Sequence, residues 1–181
     1  MVVPSKVFFT KGVGYHEERL VSFEMALRDA GIAPFNLVYV SSIMPPDADI
    51  VPRDEGLKYL SPGEIVYCVM ARESLNKAGE KIAASIGLAV PQIHTKQHGY
   101  LSEHHCEGMS ADECAVRAEK MAAIMLGTIM HIDVNPELDW NEQEKAYLAS
   151  GKIIKTSNIS EEAVCRDGVW TTVISAAVFV C

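Results

Sequence analysis

The run from Ile82 to Val90 constrains the fold more than any other stretch of this chain. It is made almost entirely of apolar or small residues and contains no charged side chain. A strand of this composition is buried on both faces, because a strand with one face in water alternates apolar and polar residues. The last segment, Val169 to Val180, is also strongly apolar and predicts a central strand. The sheets of this protein must therefore be covered by other layers of structure.

Two helices are predicted to supply such cover. From Tyr15 to Ala30 the apolar residues recur three and four positions apart, and Gly31 is placed to end the helix. The second helix starts with a capping box formed by Ser110 and Glu113. Its apolar face then comprises Val116, Met121, Ile124, Met125 and Ile129.

The rest of the chain is predicted to alternate strands with connecting segments. Further strands are expected at 6–9, where glycines at 12 and 14 end the strand, and at 36–40, 63–70 and around 99–105. The proline-rich stretch Ser41 to Pro62 is incompatible with a helix or a central strand and predicts a long functional loop. Residues 134–152 are polar and acidic, and we expect them to be exposed.

We predict one domain over residues 1–181, of the α/β (α+β) class, with sheets packed face to face and covered by helices as an αββα sandwich. A chain of 181 residues with 49% hydrophobic and 22% charged residues is long and apolar enough to bury a sizeable core. We find no internal repeat or interdomain linker that would divide it.

Charge and cysteine usage limit the partners and the compartment. The formal net charge of −8 argues against binding to nucleic acid or to an anionic membrane. The first ten residues resemble neither a signal peptide nor a transmembrane segment. Five scattered cysteines without a CxxC pair fit a reducing compartment better than a disulfide framework, so we expect a cytoplasmic protein without membrane contacts.

A serine pair, Ser41-Ser42, lies at the end of the predicted strand Asn36-Leu37-Val38-Tyr39-Val40. It is followed by Ile43-Met44-Pro45-Pro46 and then by Asp47-Ala48-Asp49-Ile50-Val51-Pro52. A serine pair alone is an ordinary strand end, since turn residues cluster there. The whole stretch, however, resembles the processing site of the pyruvoyl-dependent arginine decarboxylases. The resemblance is looser from Glu64 to Met130 and returns at the final strand.

This resemblance implies that the chain cuts itself between Ser41 and Ser42, into a β chain (residues 1–41) and an α chain (residues 42–181). The Ser42 hydroxyl attacks the Ser41 carbonyl to form an ester, and a hydrogen-bond donor holds the oxyanion. Loss of the Ser42 α-proton and β-elimination then leave a residue that hydrolyses to a pyruvoyl group and ammonia. The covalent pyruvoyl cofactor derived from Ser42 would act as the electron sink for an amino-acid decarboxylase.

The resemblance also implies roles for three further residues. Asn36 would serve the processing step, and Glu103 would donate the proton that replaces carbon dioxide on the substrate. A carboxylic acid keeps its proton at neutral pH only where it is buried, so this role predicts that Glu103 is buried. Glu24, on the first helix, would bind the substrate guanidinium, since a carboxylate suits a planar bidentate donor.

The chain departs from the family pattern in two places. Glu24 stands where a shorter aspartate is expected, and residues 134–152 resemble an insertion. Neither change touches the processing motif, so self-cleavage follows more securely than arginine specificity. A carboxylate at Glu24 would repel aspartate, which favours a basic amino acid such as arginine, with agmatine as the product.

Other functions stay open at this point. The chain could be an unprocessed binding or regulatory homologue, a pyruvoyl decarboxylase for a different amino acid, or a metal-dependent hydrolase that uses His98, His104, His105 and Cys106. His104 and Cys106 point to one face of a strand, but alternate strand residues need partners elsewhere to bind one ion, and we predict no metal site. The resemblance further implies a homotrimer with sites between subunits.

Overall fold

Two β-sheets pack face to face, with helices on the outer side of each. The computed structural model describes residues 2–92, 96–141, 146–149 and 152–181. Its strands are β1 (Lys6–His16), β2 (Asn36–Tyr39), β3 (Ile43–Met44), β4 (Asp49–Ile50), β5 (Ile65–Leu75), β6 (Lys81–Pro91), β7 (Gly99–Glu107), β8 (Trp140–Asn141), β9 (Ala146–Ala149), β10 (Lys152–Val164) and β11 (Trp170–Val180). The helices are α1 (Arg19–Ala30), α2 (Arg53–Gly56) and α3 (Ala111–Ile129), and a 3₁₀ turn covers Leu57–Tyr59.

The first sheet has the strand order β2-β5-β11-β1-β4, and the second has the order β3-β7-β6-β10-β9-β8. In the first sheet β2 runs parallel to β5, and β4 runs parallel to β1, whereas the described pairs of the second sheet are antiparallel. Helix α1 packs on β1 and β11, and α3 packs on β6, β7 and β10. The αββα sandwich predicted from the sequence is confirmed.

The main core lies between the two sheets. Strand β6 contributes Ile86 and Leu88 to it, and Val173 and Phe179 of β11 pack against them from the other sheet. A second cluster lies under α1, and a third lies under α3. Strand β6 is buried along nearly its whole length because it has the first sheet on one face and α3 on the other.

The glycines at positions 12 and 14 do not end β1, which continues to His16, so the prediction of a short first strand is wrong. Both glycines lie beneath α1. A Cβ at Gly14 would lie 2.0 Å from the Ser22 carbonyl oxygen, and one at Gly12 would lie 2.3 Å from that of Ala26. The helix therefore rests directly on the strand backbone. The predicted end of the helix is confirmed, because Gly31 has a φ of 79°.

Part of the segment 134–152 is folded into the sheet, which corrects the expectation that it is exposed. Ala146 and Tyr147 of β9 are buried, and the Tyr147 ring packs edge-on against Trp140. Strand β9 pairs with the long strand β10, which the sequence did not predict because its polar and apolar residues alternate only in part. The proline-rich stretch also holds the one-turn helix α2, although no helix was expected there.

The predicted capping box is confirmed at the start of α3. The Ser110 hydroxyl accepts a hydrogen bond from the Glu113 backbone N–H, and the Glu113 carboxylate accepts one from the Ser110 N–H. This arrangement satisfies donors that a helix N-terminus leaves unpaired. Within the described residues, no helix is long and apolar enough to cross a membrane.

Candidate active site

The Ser41–Ser42 peptide bond lies where the chain passes from one sheet to the other. On its N-terminal side, the Val40 N–H donates to the Cys68 carbonyl of β5, in the first sheet, at 3.1 Å. On its C-terminal side, the Leu101 N–H of β7, in the second sheet, donates to the Ser42 carbonyl at 2.8 Å. Both flanks of this peptide are therefore held by backbone hydrogen bonds, each to a strand of a different sheet.

The Ser42 hydroxyl donates a hydrogen bond to Oε2 of Glu103 at 3.0 Å. Strand β7 positions this carboxylate, because residues two apart on a strand share a face. Leu101 on that face is fully buried in the core between the sheets, and Glu103 comes next along the same face. The carboxylate thus reaches the side chain that the resemblance predicts to be the nucleophile of processing.

The Ser41 carbonyl oxygen accepts a hydrogen bond from the Ile43 backbone N–H at 2.8 Å. An N–H donor at a carbonyl oxygen polarises the bond and stabilises negative charge that develops there during attack on the carbon. This donor belongs to the backbone two residues downstream. The sequence carried no side-chain signal for it.

Glu103 is exposed in a single chain, so the burial expected from the sequence is not found there. The physical reason is the shortness of β3, which pairs only with Gly99 and Tyr100 of β7. Beyond these residues β7 is an edge strand, and Glu103 lies on that edge. The carboxyl group would become buried only if another molecule covered the edge.

Asn36 lies at the opposite end of β2 from Ser42. Its side-chain amide donates to the Gly63 carbonyl at 2.7 Å, and its backbone N–H donates to the Glu64 carbonyl at 2.8 Å. At about 3.3 Å per residue, the strand alone separates its first and last residues by about 10 Å. In one chain the Asn36 amide is therefore a partner of the loop before β5.

Glu24 lies on α1, where its carboxylate accepts a hydrogen bond from the Arg28 guanidinium at 3.0 Å. The two side chains face an open cleft of about 370 Å³ that also involves Gly31, Ala33 and Pro34. Pro34 comes two residues before Asn36, so Glu24 and Asn36 share one end of the molecule. Ser42 and Glu103 belong to the other end of β2.

A second cleft, of about 320 Å³, adjoins the serine pair. Ser41, Ile43 and Tyr67 line it together with Val40, and none of the described residues that line it is acidic. Nearby, burial raises the pKa of the Cys68 thiol to about 12. The thiol therefore stays protonated at neutral pH and does not compete with Ser42 as a nucleophile.

Comparison with known proteins gives the same assignment as the serine pair. Residues 6–181 match the family model of pyruvoyl-dependent arginine decarboxylase. This chain belongs to that family. A protein of Chlorobium limicola named "Probable pyruvoyl-dependent arginine decarboxylase" is 54% identical over 97% of each chain. The "Pyruvoyl-dependent arginine decarboxylase 2" of Methanosarcina mazei is 47% identical over 99% of this chain and 98% of its own.

The family assignment confirms the resemblance first seen between Asn36 and Pro52. With it comes the cofactor of the family, a covalently bound pyruvoyl group. The residues present fit such a group, because the hydroxyl of Ser42 and the carbonyl of Ser41 each have a hydrogen-bond partner suited to the processing chemistry. The roles of Ser42, Glu103, Asn36 and Glu24 stay predictions, as does the division into residues 1–41 and 42–181.

Proposed function

We propose that this protein cleaves itself between Ser41 and Ser42 and then decarboxylates arginine to agmatine and carbon dioxide. The observation that carries the proposal is the Ser42 hydroxyl, 3.0 Å from Glu103 and directly beside a polarised Ser41 carbonyl. Membership of the family supports the same chemistry and the same substrate.

The first step is attack of the Ser42 hydroxyl oxygen on the Ser41 carbonyl carbon. Glu103 accepts the hydroxyl proton, and the Ile43 N–H stabilises the oxyanion. The peptide C–N bond breaks as the ester C–O bond forms, and the freed nitrogen takes up a proton. A base then removes the α-proton of Ser42, the Ser41 carboxylate leaves, and hydrolysis of the remaining dehydroalanine releases ammonia.

In the second step the Glu103 carboxyl group donates a proton, whereas in the first step it accepts one. The pyruvoyl group, when formed, binds the substrate amine and accepts the electrons that carbon dioxide leaves behind. Glu103 is held by β7 at the point where the Ser42 side chain stood before cleavage. From there it donates a proton to the substrate carbon that has lost carbon dioxide.

Glu24 is our candidate for the partner of the substrate guanidinium. In the single chain its carboxylate already binds a guanidinium, that of Arg28 one helical turn away. Exposed ion pairs between residues one helical turn apart contribute only about 0.3–0.5 kcal/mol to stability. A substrate that is also bound through its amine can therefore displace the Arg28 guanidinium from Glu24. Arginine suits this site better than lysine, because its planar guanidinium group can donate two hydrogen bonds to one carboxylate.

The two halves of this site lie at opposite ends of β2, and we propose that copies of the chain, as a homotrimer, bring them together. Apolar side chains on the edge formed by β2 and β5 support this view: Val38, Tyr39, Ile65 and Tyr67 are 36–64% exposed, and Ile43 beside Ser42 is 38% exposed. Such a patch is typical of an interface between subunits. A second copy placed there would also cover Glu103.

The deciding experiment is the intact mass of the purified protein. The wild type should give two species, residues 1–41 and residues 42–181, and the larger should have no free N-terminal amine because a pyruvoyl group lacks one. Ser42→Ala should stay a single chain and release no carbon dioxide from arginine. A folded wild-type protein that keeps one mass after prolonged incubation would identify it instead as an unprocessed binding homologue.

A further inference from the structure

Three metal-binding side chains meet on the face of β7 opposite Glu103. His104 and Cys106 alternate with Glu103 along the strand and therefore face α3. Cys114 lies in the first turn of that helix, and the capping box of Ser110 and Glu113 determines where this turn begins. Each of the three side chains offers one ligand atom, an imidazole nitrogen or a thiol sulfur, and these three atoms lie within 4.8 Å of one another.

One atom of this cluster lacks the partner that its burial requires. Nε2 of His104 is buried and has no hydrogen-bond partner among the described residues. An unpaired buried nitrogen is costly, and such atoms in native proteins usually have an unrecorded water or ion as partner. The Cys114 thiol, which is fully buried, makes a long contact of 3.5 Å with the His104 carbonyl oxygen and also interacts with the Cys106 thiol.

The donor set of one imidazole and two thiols selects a specific kind of ion. Thiolate and imidazole ligands together favour Zn²⁺ over Mg²⁺ or Ca²⁺, which prefer oxygen. Zinc bonds of about 2.0–2.3 Å at tetrahedral angles place ligand atoms about 3.5–3.8 Å apart. The distances between the ligand atoms must therefore shorten by about 1 Å when the ion binds. Rotation of the Cys106 side chain, which is only half-buried, can provide this change.

Metal binding at this cluster is coupled to the release of protons from its ligands. Burial, followed by the positive charges of Arg117 and His105, lowers the pKa of His104. A metal ligand is a neutral imidazole. Two thiolates would balance the charge of one Zn²⁺. Burial, followed by the contact with Cys106, raises the pKa of the Cys114 thiol, and Arg117 offsets this only in part, so the ion must displace the thiol proton when it binds. Binding would release two protons, one from each thiol, to solvent.

We propose that His104, Cys106 and Cys114 form a zinc site, with a water molecule as the fourth ligand on the exposed side of Cys106. The ion would tie the first turn of α3 to β7, the strand that carries Glu103. Its role is structural, because the ligands point away from the serine pair. The proposal does not depend on the decarboxylase activity.

The test uses purified, reduced, metal-free full-length protein with Cys181→Ser as background, since Cys181 is exposed and could bind metal nonspecifically. Titration with Co²⁺ should give one ion per chain, with the intense visible bands of tetrahedral coordination and a sulfur-to-cobalt charge-transfer band. Zn²⁺ should displace the Co²⁺ spectrum stoichiometrically and raise Tm. Cys106→Ser, Cys114→Ser and His104→Asn should each weaken or abolish these signals.

Cys165→Ala is the matched control, because Cys165 is a buried thiol outside the cluster and its loss should leave the spectrum unchanged. Cys106→Ser, at a half-exposed position, keeps the test decisive if Cys114→Ser fails to fold. Absence of tetrahedral Co²⁺ bands in the reduced protein, or bands that survive all three ligand substitutions, would overturn the proposal. So would a Cys106–Cys114 disulfide whose reduced form binds no Zn²⁺.

Discussion

The Ser42 hydroxyl and the Glu103 carboxylate form a hydrogen bond of 3.0 Å in the uncleaved chain, across the edge of the second sheet. The bond joins residues 61 positions apart and connects the proposed nucleophile of processing to the proposed proton donor of turnover. From the sequence alone, Glu103 was expected to act only after cleavage. The contact supports our proposal that Glu103 acts in both steps.

Glu103→Gln should therefore slow self-cleavage as well as decarboxylation. A glutamine cannot accept the Ser42 hydroxyl proton as a base, and general acid–base catalysis contributes about 10²–10⁴-fold. The measurement is a time course of intact mass on freshly purified protein, followed by carbon dioxide release from arginine. Glu107→Gln is the control, since Glu107 is an exposed carboxylate on the same face of β7. Cleavage of Glu103→Gln at the wild-type rate would restrict Glu103 to turnover.

Ile43→Pro should slow cleavage by about 10²–10³-fold, the usual effect of removing one oxyanion donor. Proline has no N–H, so the 2.8 Å hydrogen bond to the Ser41 carbonyl is lost while the Ser42 hydroxyl remains. Ile43→Val keeps the N–H and should mature normally. The rates are compared by mass spectrometry, and thermal melting checks that both variants fold. Equal rates for the two variants would leave Ile43 without a role as donor.

Glu24→Gln should lower kcat/KM for arginine by about ten- to a hundredfold, because a hydrogen bond to a charged group is worth about 1.5–3 kcal/mol. Self-cleavage should be unaffected. A carbon dioxide release assay across the amino acids measures this preference, with lysine and ornithine expected to be much poorer than arginine in the wild type. Glu17→Gln, an exposed carboxylate just before α1, is the control. If Glu24→Gln keeps the preference for arginine, the guanidinium site lies elsewhere.

Mixed oligomers should be more active than either variant alone. If one chain supplies Ser42 and Glu103 and its neighbour supplies Glu24, coexpressed Ser42→Ala and Glu24→Gln chains form some complete sites. Ser42→Ala with Glu103→Gln should not recover, because both residues come from the same chain. Decarboxylation by the copurified mixtures is measured against each variant alone. Recovery in the second mixture, or none in the first, would contradict a site divided in this way.

Local signals in the sequence were sufficient for most of the fold. Capping at Ser110 and the left-handed Gly31 depend on a few neighbouring residues, so both were predicted correctly. The long strand β10 was missed because its exposed face is polar only in part and its pairing with β6 involves residues about 70 positions away. The glycines at 12 and 14 were misinterpreted because the sequence does not distinguish a glycine that ends a strand from one that allows a helix to pack closely on the strand backbone.

The sequence by itself determined the family, the serine pair and the chemistry that this pair requires, because these depend on residue types in a short contiguous stretch. Only the tertiary structure decided which groups meet that pair. The Glu103 carboxylate reaches Ser42, and the Asn36 amide is directed to Gly63, because sheet pairing positions residues by register rather than by distance along the chain. The same rule brings Cys114 to His104 and Cys106, since α3 packs on the face of β7 opposite Glu103.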